Sequence, residues 1–187
     1  EIRPRDWSSD VCSSDLLVED LRTLALSEGG TLALHREPTD VALLLAEVAQ
    51  AFTGVAAGAG VTLAVEAPAD LPLLNADPVR LREVLENLVS NALRHTPAGG
   101  SVRLSAAAVG SDLVLRVADN GVGLAPDLLP KVFDRFVKGG GSAGSGLGLA
   151  IARHLAEVHG GTIRVDSQKG QGATFTVTLP LREPAAD

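Results

Sequence analysis

The segment that most narrows what this chain can fold into is Asp77-Pro78 followed by VRLREVLENLVSNALRH. An Asp able to cap free amides, followed by a Pro whose φ is already helical, marks a helix start. Beyond it Leu81, Val84, Leu85, Leu88, Val89 and Ala92 recur at helical spacing, so a helix over 77–94 carries one continuous apolar stripe. Such a stripe has to be covered by a second layer, and the flanking sequence supplies one. Residues 102–108 and 113–118 read as two strands joined at Gly110-Ser111, a hairpin, and 162–166 with 173–179 read as another strand pair. Shorter extended pieces are predicted at 32–38, 61–66 and 71–75. Thr39-Asp40 can cap a helix to about Phe52, and a Gly-rich stretch over 139–148 leads into a helix ending near Gly160-Gly161. The expected fold is α+β: a two-layer sandwich in which a mixed, mostly antiparallel sheet packs on about three helices.

Composition removes several function classes. The 187 residues hold 16 Lys+Arg against 23 Asp+Glu, a net charge of −7 that suits no polyanion, so nucleic acid is not expected as a partner. No apolar run approaches the roughly 20 residues of a membrane span, and no membrane contact is expected of this chain. A single cysteine, Cys12, rules out an internal disulfide and favours a cytoplasmic location. The sequence has no Met, which leads us to expect a protein that continues upstream. Residues 6–16, DWSSDVCSSDL, read as the translation of a sequencing-adapter oligonucleotide and contain the only Trp (Trp7) and the only Cys; residues 1–16 are therefore set aside as an artefact.

The polar residues carry the chemistry. Arg80, Glu83, Asn87, Asn91 and Arg94 recur at three- and four-residue steps beside the apolar stripe, so Asn87 and Asn91 stand one turn apart. Asn is a weak helix former, and two at this spacing are either solvated surface amides or a functional pair. Next, Asp119-Asn120-Gly121-Val122-Gly123 closes a predicted strand. A carboxylate there can accept from an exocyclic amine such as adenine N6, with the glycines letting a base approach the backbone, although DxGxG alone is often only a turn. Then FDRFVK (133–138) leads into GGGSAGSGLGLAIA, where Gly144, Gly146 and Gly148 precede a helix. Amides at such a helix start bind phosphate; the plainer alternative is a flexible linker. The GxxxxGK[ST] phosphate loop and the dinucleotide fingerprint are both absent.

Taken in order, an Asn-x-x-x-Asn helix, DxGxG, a Phe-rich segment, GxGxG and a helix resemble the ATP-binding catalytic domain of sensor histidine kinases. That domain belongs to a wider family shared with gyrase, the Hsp90 chaperones and MutL. Residues 77–97, 117–138 and 144–175 carry the likeness, with Gly170 and Gly172 in the closing HGGTIRVDSQKGQGATF, and it spans roughly 17–181. The resemblance implies ATP and Mg²⁺ as ligands. Asn91 would ligate Mg²⁺, with Asn87 beside the phosphates; both, together with Arg94 and Lys138, would be the catalytic residues. Arg94 stands where the family usually has Lys, and His95 replaces a common aromatic. Asp119 would read adenine with Gly121 and Gly123 giving clearance, and Gly144, Ser145, Gly146, Leu147 and Gly148 would form the lid and phosphate nest. Thr174 is placed in the nucleotide site by the same resemblance. The lid, about 137–145, is short for the family.

Gyrase-like relatives are expected to carry a Glu base for water where this chain has Asn87. Glu86 points about 100° round the helix from that position, and Glu83 lies a turn earlier. A kinase that waits for a nucleophile is therefore expected, and a neutral histidine imidazole is one. No acceptor is visible: His35 sits in a predicted strand, His95 ends the Asn-bearing helix, and His154 and His159 belong to the last helix. We expect ATP binding without autophosphorylation. Residues 17–30 resemble the end of the second dimerisation helix, leaving 31–187 as the catalytic domain and a monomer as the expected state. The expected partners are the dimerisation and phosphoacceptor domain of the whole kinase and the receiver domain of a response regulator, with any membrane anchor upstream. An anti-sigma-type serine kinase of the same family and a non-catalytic ATP-binding pseudokinase module are the alternatives.

Overall fold

Capping carboxylates start the first two helices. Asp40 Oδ1 accepts from the Leu43 amide at 3.0 Å and opens α1 (Val41–Ala59); Asp77 Oδ1 accepts from the Val79 and Arg80 amides, both at 3.1 Å, and opens α2 (Pro78–His95). In the computed structural model, which describes residues 33–137 and 146–181, these are joined by α3 (Gly148–Val158) and a single 3₁₀ turn, Leu129–Lys131. The strands are β1 (Glu37–Thr39), β2 (Thr62–Glu66), β3 (Leu74–Ala76), β4 (Ser101–Val109), β5 (Asp112–Asp119), β6 (Thr162–Ser167) and β7 (Ala173–Pro180). Five of them form one sheet in the order β2-β4-β5-β7-β6, with β2 parallel to β4 and every other pairing antiparallel.

Alternation along the strands decides which face is covered. Val102 and Leu104 of β4, Leu113, Leu115 and Val117 of β5, and Phe175, Val177 and Leu179 of β7 are buried in one core, where β4 and β5 meet the stripe of α2 and β7 meets α3. Arg103, Arg116 and Thr176 fall on the alternate positions and leave the other face open. Phe133 covers one end of this core, its ring edge-on to Phe175 at 6.2 Å. The result is the mixed two-layer sandwich expected from the sequence.

Three expectations change. First, α1 does not stop near Phe52 but continues to Ala59. Gly54 and Gly58 sit in a regular helix facing open space, and the stop is Gly60, left-handed at φ 67°, whose amide reaches the carbonyls of Ala56 and Ala57. Second, the same helix is, by length and composition alone, apolar enough to cross a membrane, contrary to the expected absence of any such run. Its buried side, including Val41, Leu44, Leu45 and Val48, packs on α2 and on β2 and β4 instead. Third, in the described part of the extended piece predicted at 32–38, only Glu37–Thr39 forms a strand. It pairs antiparallel with β3 in a small separate sheet, Thr39 opposite Leu74, so His35 precedes the strand rather than lying in it. The segments read as an adapter and as a dimerisation-helix remnant lie outside the described residues.

Candidate functional site

The C-terminal end of α2 and the C-terminal end of β5 are sewn together by backbone. Asp119 is the last residue of β5, and the strand register places it beside Ala173 on the face that the helices cover. Its Oδ1 accepts from the Gly121 amide at 2.9 Å and the Ala173 amide at 3.3 Å, which leaves Oδ2 outside both bonds. Burial pushes this carboxyl above its usual range, against the pull of the Gly121 and Ala173 amides and the nearby His95 ring. His95 ends α2 half-buried. Burial and the adjacent Arg94 lower its pKa, and Asp119 opposes them, so the ring is neutral near pH 7. Its carbonyl accepts from the Val122 amide at 3.1 Å, which holds the glycine loop against the helix.

The two glycines of DxGxG are required by close approach. A Cβ on Gly121 would lie 2.2 Å from the His95 carbonyl oxygen, and one on Gly123, at φ 64°, would lie 2.1 Å from the Gln168 oxygen. Sequence reasoning did not single out the residues that brace this loop from the far side. Ser167 Oγ accepts from the Leu124 amide at 2.8 Å and donates to the Gly172 carbonyl at 2.7 Å, while Asn120 Oδ1 accepts from the Ser101 amide at 2.7 Å. Gly-Gln-Gly ahead of an alternating strand was the available signal, because a tight turn there returns β7 onto Asp119.

The amides form the other end. Asn87 Nδ2 donates to the Glu83 carbonyl at 3.0 Å, so its Oδ1 faces away, toward the start of α3: a Cβ on Gly148 would stand 2.7 Å from it. Asn91 is half-buried one turn on, and Arg94 is exposed beyond it. Leu147 is fully buried and anchors the helix start, and Gly146, at φ 73°, accepts at its carbonyl from the Phe136 amide at 2.9 Å. No three His, Cys, Asp or Glu residues are grouped to hold a metal among the described residues, so a cation here would rest on amide oxygen, water and phosphate, donors that suit a hard ion such as Mg²⁺. Lys138, Gly144 and Ser145 lie outside the described residues. Thr174 does not join the site: it alternates with Ala173 onto the opposite face of β7, where it lines an open groove of about 390 Å³ with Asp166 and Gln171.

The arrangement is thus a half-buried carboxylate, with Oδ2 outside its two amide bonds, at one end, two Asn side chains and a helix start at the other, and a glycine-cleared floor between. Residues 76–183 match the family of histidine kinase-, DNA gyrase B- and HSP90-like ATPases. The sensor protein DivL of Caulobacter vibrioides is 41% identical over 170 residues, covering 90% of this chain and 22% of DivL. The sensor-like histidine kinase SenX3 of Mycobacterium tuberculosis is 37% identical over 169 residues, covering 88% of this chain and 41% of SenX3. The chain thus spans well under half the length of either relative. Full-length ShkA, solved in complex with AMPPNP, superposes with a TM-score of 0.84 at 36% identity, over 96% of this chain and 38% of ShkA. This chain belongs to that ATPase family, as the ATP-binding catalytic domain of a sensor histidine kinase.

Proposed function

We propose that this domain transfers the γ-phosphoryl group of ATP to a histidine carried by the dimerisation domain of the whole protein. The observation that carries the reading is the fixed amide of Asn87. It occupies the place where the gyrase-like branch is expected to hold a carboxylate base, and it cannot take a proton from water. Glu86, the adjacent acid, points about 100° round the helix from it, and Glu83, a turn earlier, is paired with Arg80 at 2.9 Å. Bound ATP therefore waits for a nucleophile that needs no base. A neutral imidazole nitrogen forms the new bond to the γ-phosphorus as the bond from that phosphorus to the β-bridging oxygen breaks; ADP leaves, and the imidazole proton passes to solvent.

The described residues fit nucleotide chemistry at both ends. Asp119 Oδ2 is available to accept from the adenine amino group. The oxygens of Asn87 and Asn91 and the amides at the start of α3 suit phosphate and Mg²⁺; the ion would neutralise charge on the phosphates when bound. Arg94 adds positive charge, and Lys138 is proposed to do the same. The response-regulator receiver domain is the proposed onward partner, and the domain is proposed to work in the cytoplasm, with any membrane anchor elsewhere in the whole protein.

The test is phosphoryl transfer in trans. The chain, Mg²⁺ and γ-labelled ATP are mixed with a separately made dimerisation domain from the same protein. Acid-labile, alkali-stable label on that domain, and none on the chain alone, is expected. Tight ATP binding with no transfer would instead support a pseudokinase module, and label on serine would support the anti-sigma-type reading.

A further inference from the structure

His159 lies in a network remote from the nucleotide groups. It caps α3 at its C-terminal end and is 3% exposed. Its Nε2 accepts from the Asp77 amide at 3.2 Å, so the ring proton must reside on Nδ1, which donates to the Leu155 carbonyl at 2.7 Å. Asp77 in turn spends Oδ1 on the first turn of α2 and Oδ2 on the His35 amide, at 3.0 Å. From the same segment Arg36 donates to the Val158 carbonyl at 3.4 Å, and the buried Thr39 hydroxyl shares its one proton between the Glu37 carbonyl at 3.0 Å and the Ala76 carbonyl at 3.3 Å. Burial disfavours charge on both residues. It lowers the His159 pKa, while the amides of His35, Arg80 and Val79 outweigh it at Asp77 and hold that carboxyl ionised.

One short stretch, 35–39, is therefore tied at once to the start of α2 and the end of α3. The two helices pack side by side and run antiparallel, since Asp77 meets His159 at one end and Asn87 meets Gly148 at the other. Ten residues of helix separate Asp77 from Asn87, about 15 Å, and a packed helix transmits a shift along its axis nearly undiminished. The glycines after His159 belong to the same device. Gly160 is left-handed at φ 82°, and a Cβ on Gly161 would stand 2.3 Å from the Thr178 carbonyl oxygen, so the turn that presents His159 is pressed against β7.

We infer that His159 is a positioning residue: bonded at both ring nitrogens, it rivets the first turn of α2 to the last turn of α3 and, through Asp77, to the entering strap 35–39. The spacing between Asn87 and the start of α3 then follows the position of the strap, which is where the chain arrives from upstream. This deepens the proposed function and rests on its assignment of Asn87, Asn91 and the start of α3 to the phosphates.

Three variants of the full chain test it: His159→Leu, His159→Gln, whose amide can both accept and donate, and His35→Pro, which removes the strap's amide donor to Asp77. Affinity is measured for AMPPNP with Mg²⁺ and, separately, for adenosine, which reads the Asp119 end alone. His159→Leu is expected to weaken AMPPNP binding about tenfold and leave adenosine unchanged; His159→Gln should recover most of the loss, and His35→Pro should show a smaller loss of the same kind. Equal loss for both ligands, no loss for either, or no recovery with Gln would overturn the rivet. Amide hydrogen exchange of the ligand-free proteins decides it independently. His159→Leu should speed exchange in 33–39 and at Val79 and Arg80 while sparing β5 and β7. Acceleration confined to 155–161, or spread over the sheet, would overturn it. A wild type that binds neither ligand would break the nucleotide assignment, and exchange would still decide the rivet.

Discussion

At the Asp119 end of the site nearly every contact runs through backbone: the carboxylate takes two amides, the loop amide of Val122 bonds the last carbonyl of α2, and Gly121, Gly123 and Gly172 each press against a carbonyl oxygen. At the Asn87 end the same molecule presents side chains; among the described residues Asn87 is pinned to a carbonyl one turn back, while Arg94 reaches into solvent. The first end is shaped before a ligand arrives. The second is proposed to take its final shape with the ligand. Preorganised backbone favours recognition of one rigid base, whereas adaptable side chains suit phosphates whose charge moves during transfer.

The largest effect should come from a pair of glycine substitutions that treat the two ends alike. A Cβ on Gly172 would lie 1.9 Å from the Asp119 carbonyl oxygen, at φ 82°, and neither partner can yield because both are backbone. Gly172→Ala is expected to cost about 3 kcal/mol or more in urea unfolding. A Cβ on Gly148 meets side-chain rather than backbone atoms, those of Asn87, which can yield by giving up the bond to the Glu83 carbonyl, and α3 gains the better helix former in return. Gly148→Ala should therefore leave stability level or raise it by up to about 1 kcal/mol, yet weaken AMPPNP binding by displacing the Asn87 oxygen. Equal destabilisation by both would erase the proposed difference between the ends.

Next in size is Asp119→Asn. The Asn oxygen can keep the Gly121 and Ala173 amides, but its NH₂ group now faces the adenine amino group, donor against donor. Affinity for adenine nucleotides should fall about 10- to 100-fold, read by calorimetry. Stability moves the other way. Burial raises the folded-state pKa of Asp119 above the ordinary 3.8, so the unfolded chain releases this proton first as pH rises. Its contribution to stability is complete below that value and is lost as pH climbs through the folded value. Asn has no proton to lose. The variant should thus melt higher than wild type at pH 7, with the gap closing below pH 3.8. A variant less stable at pH 7 would mean that the two amides, not burial, dominate this carboxyl.

How much of this was legible in the sequence follows the same division. Helix α2 could be read nearly to the residue because cap, Pro and apolar stripe agree, and the β4–β5 hairpin because Gly110 punctuates two alternating runs. The end of α1 was placed seven residues early, near Phe52, because Gly54, Gly58 and Gly60 are alike in one dimension and only the left-handed turn at Gly60 marks the stop. Thr174 was placed in the site by motif, yet strand alternation turns it away and brings Ala173 to Asp119, a one-residue distinction that pairing register alone supplies. The Ser167 brace and the His159 rivet join residues far apart in the chain through backbone atoms, which leave no mark in residue type.

Asn91→Ala ranks third. Among the described residues the Asn91 side chain makes no hydrogen bond, so stability should stay within about 0.5 kcal/mol. AMPPNP affinity in the presence of Mg²⁺ should drop about tenfold, and without Mg²⁺ it should match wild type. A loss that is the same with and without the ion would move the cation from Asn91 to Asn87 or to the phosphates alone.

Arg94 should give the smallest effect, because its side chain is exposed and works through a high dielectric. Replacing it with Lys, the residue usual at this place in the resembled family, keeps the charge, and AMPPNP affinity should change less than about threefold. Arg94→Ala removes the charge and should weaken binding by a margin that shrinks as salt is raised from 50 to 500 mM, since an exposed charge is screened over about a Debye length. A loss for Arg94→Ala that ignores salt, or a loss for Arg94→Lys as large as for Ala, would instead mean that the guanidinium makes fixed bidentate contacts with the phosphates. The Asn87 end would then be as rigid, once filled, as the Asp119 end is beforehand.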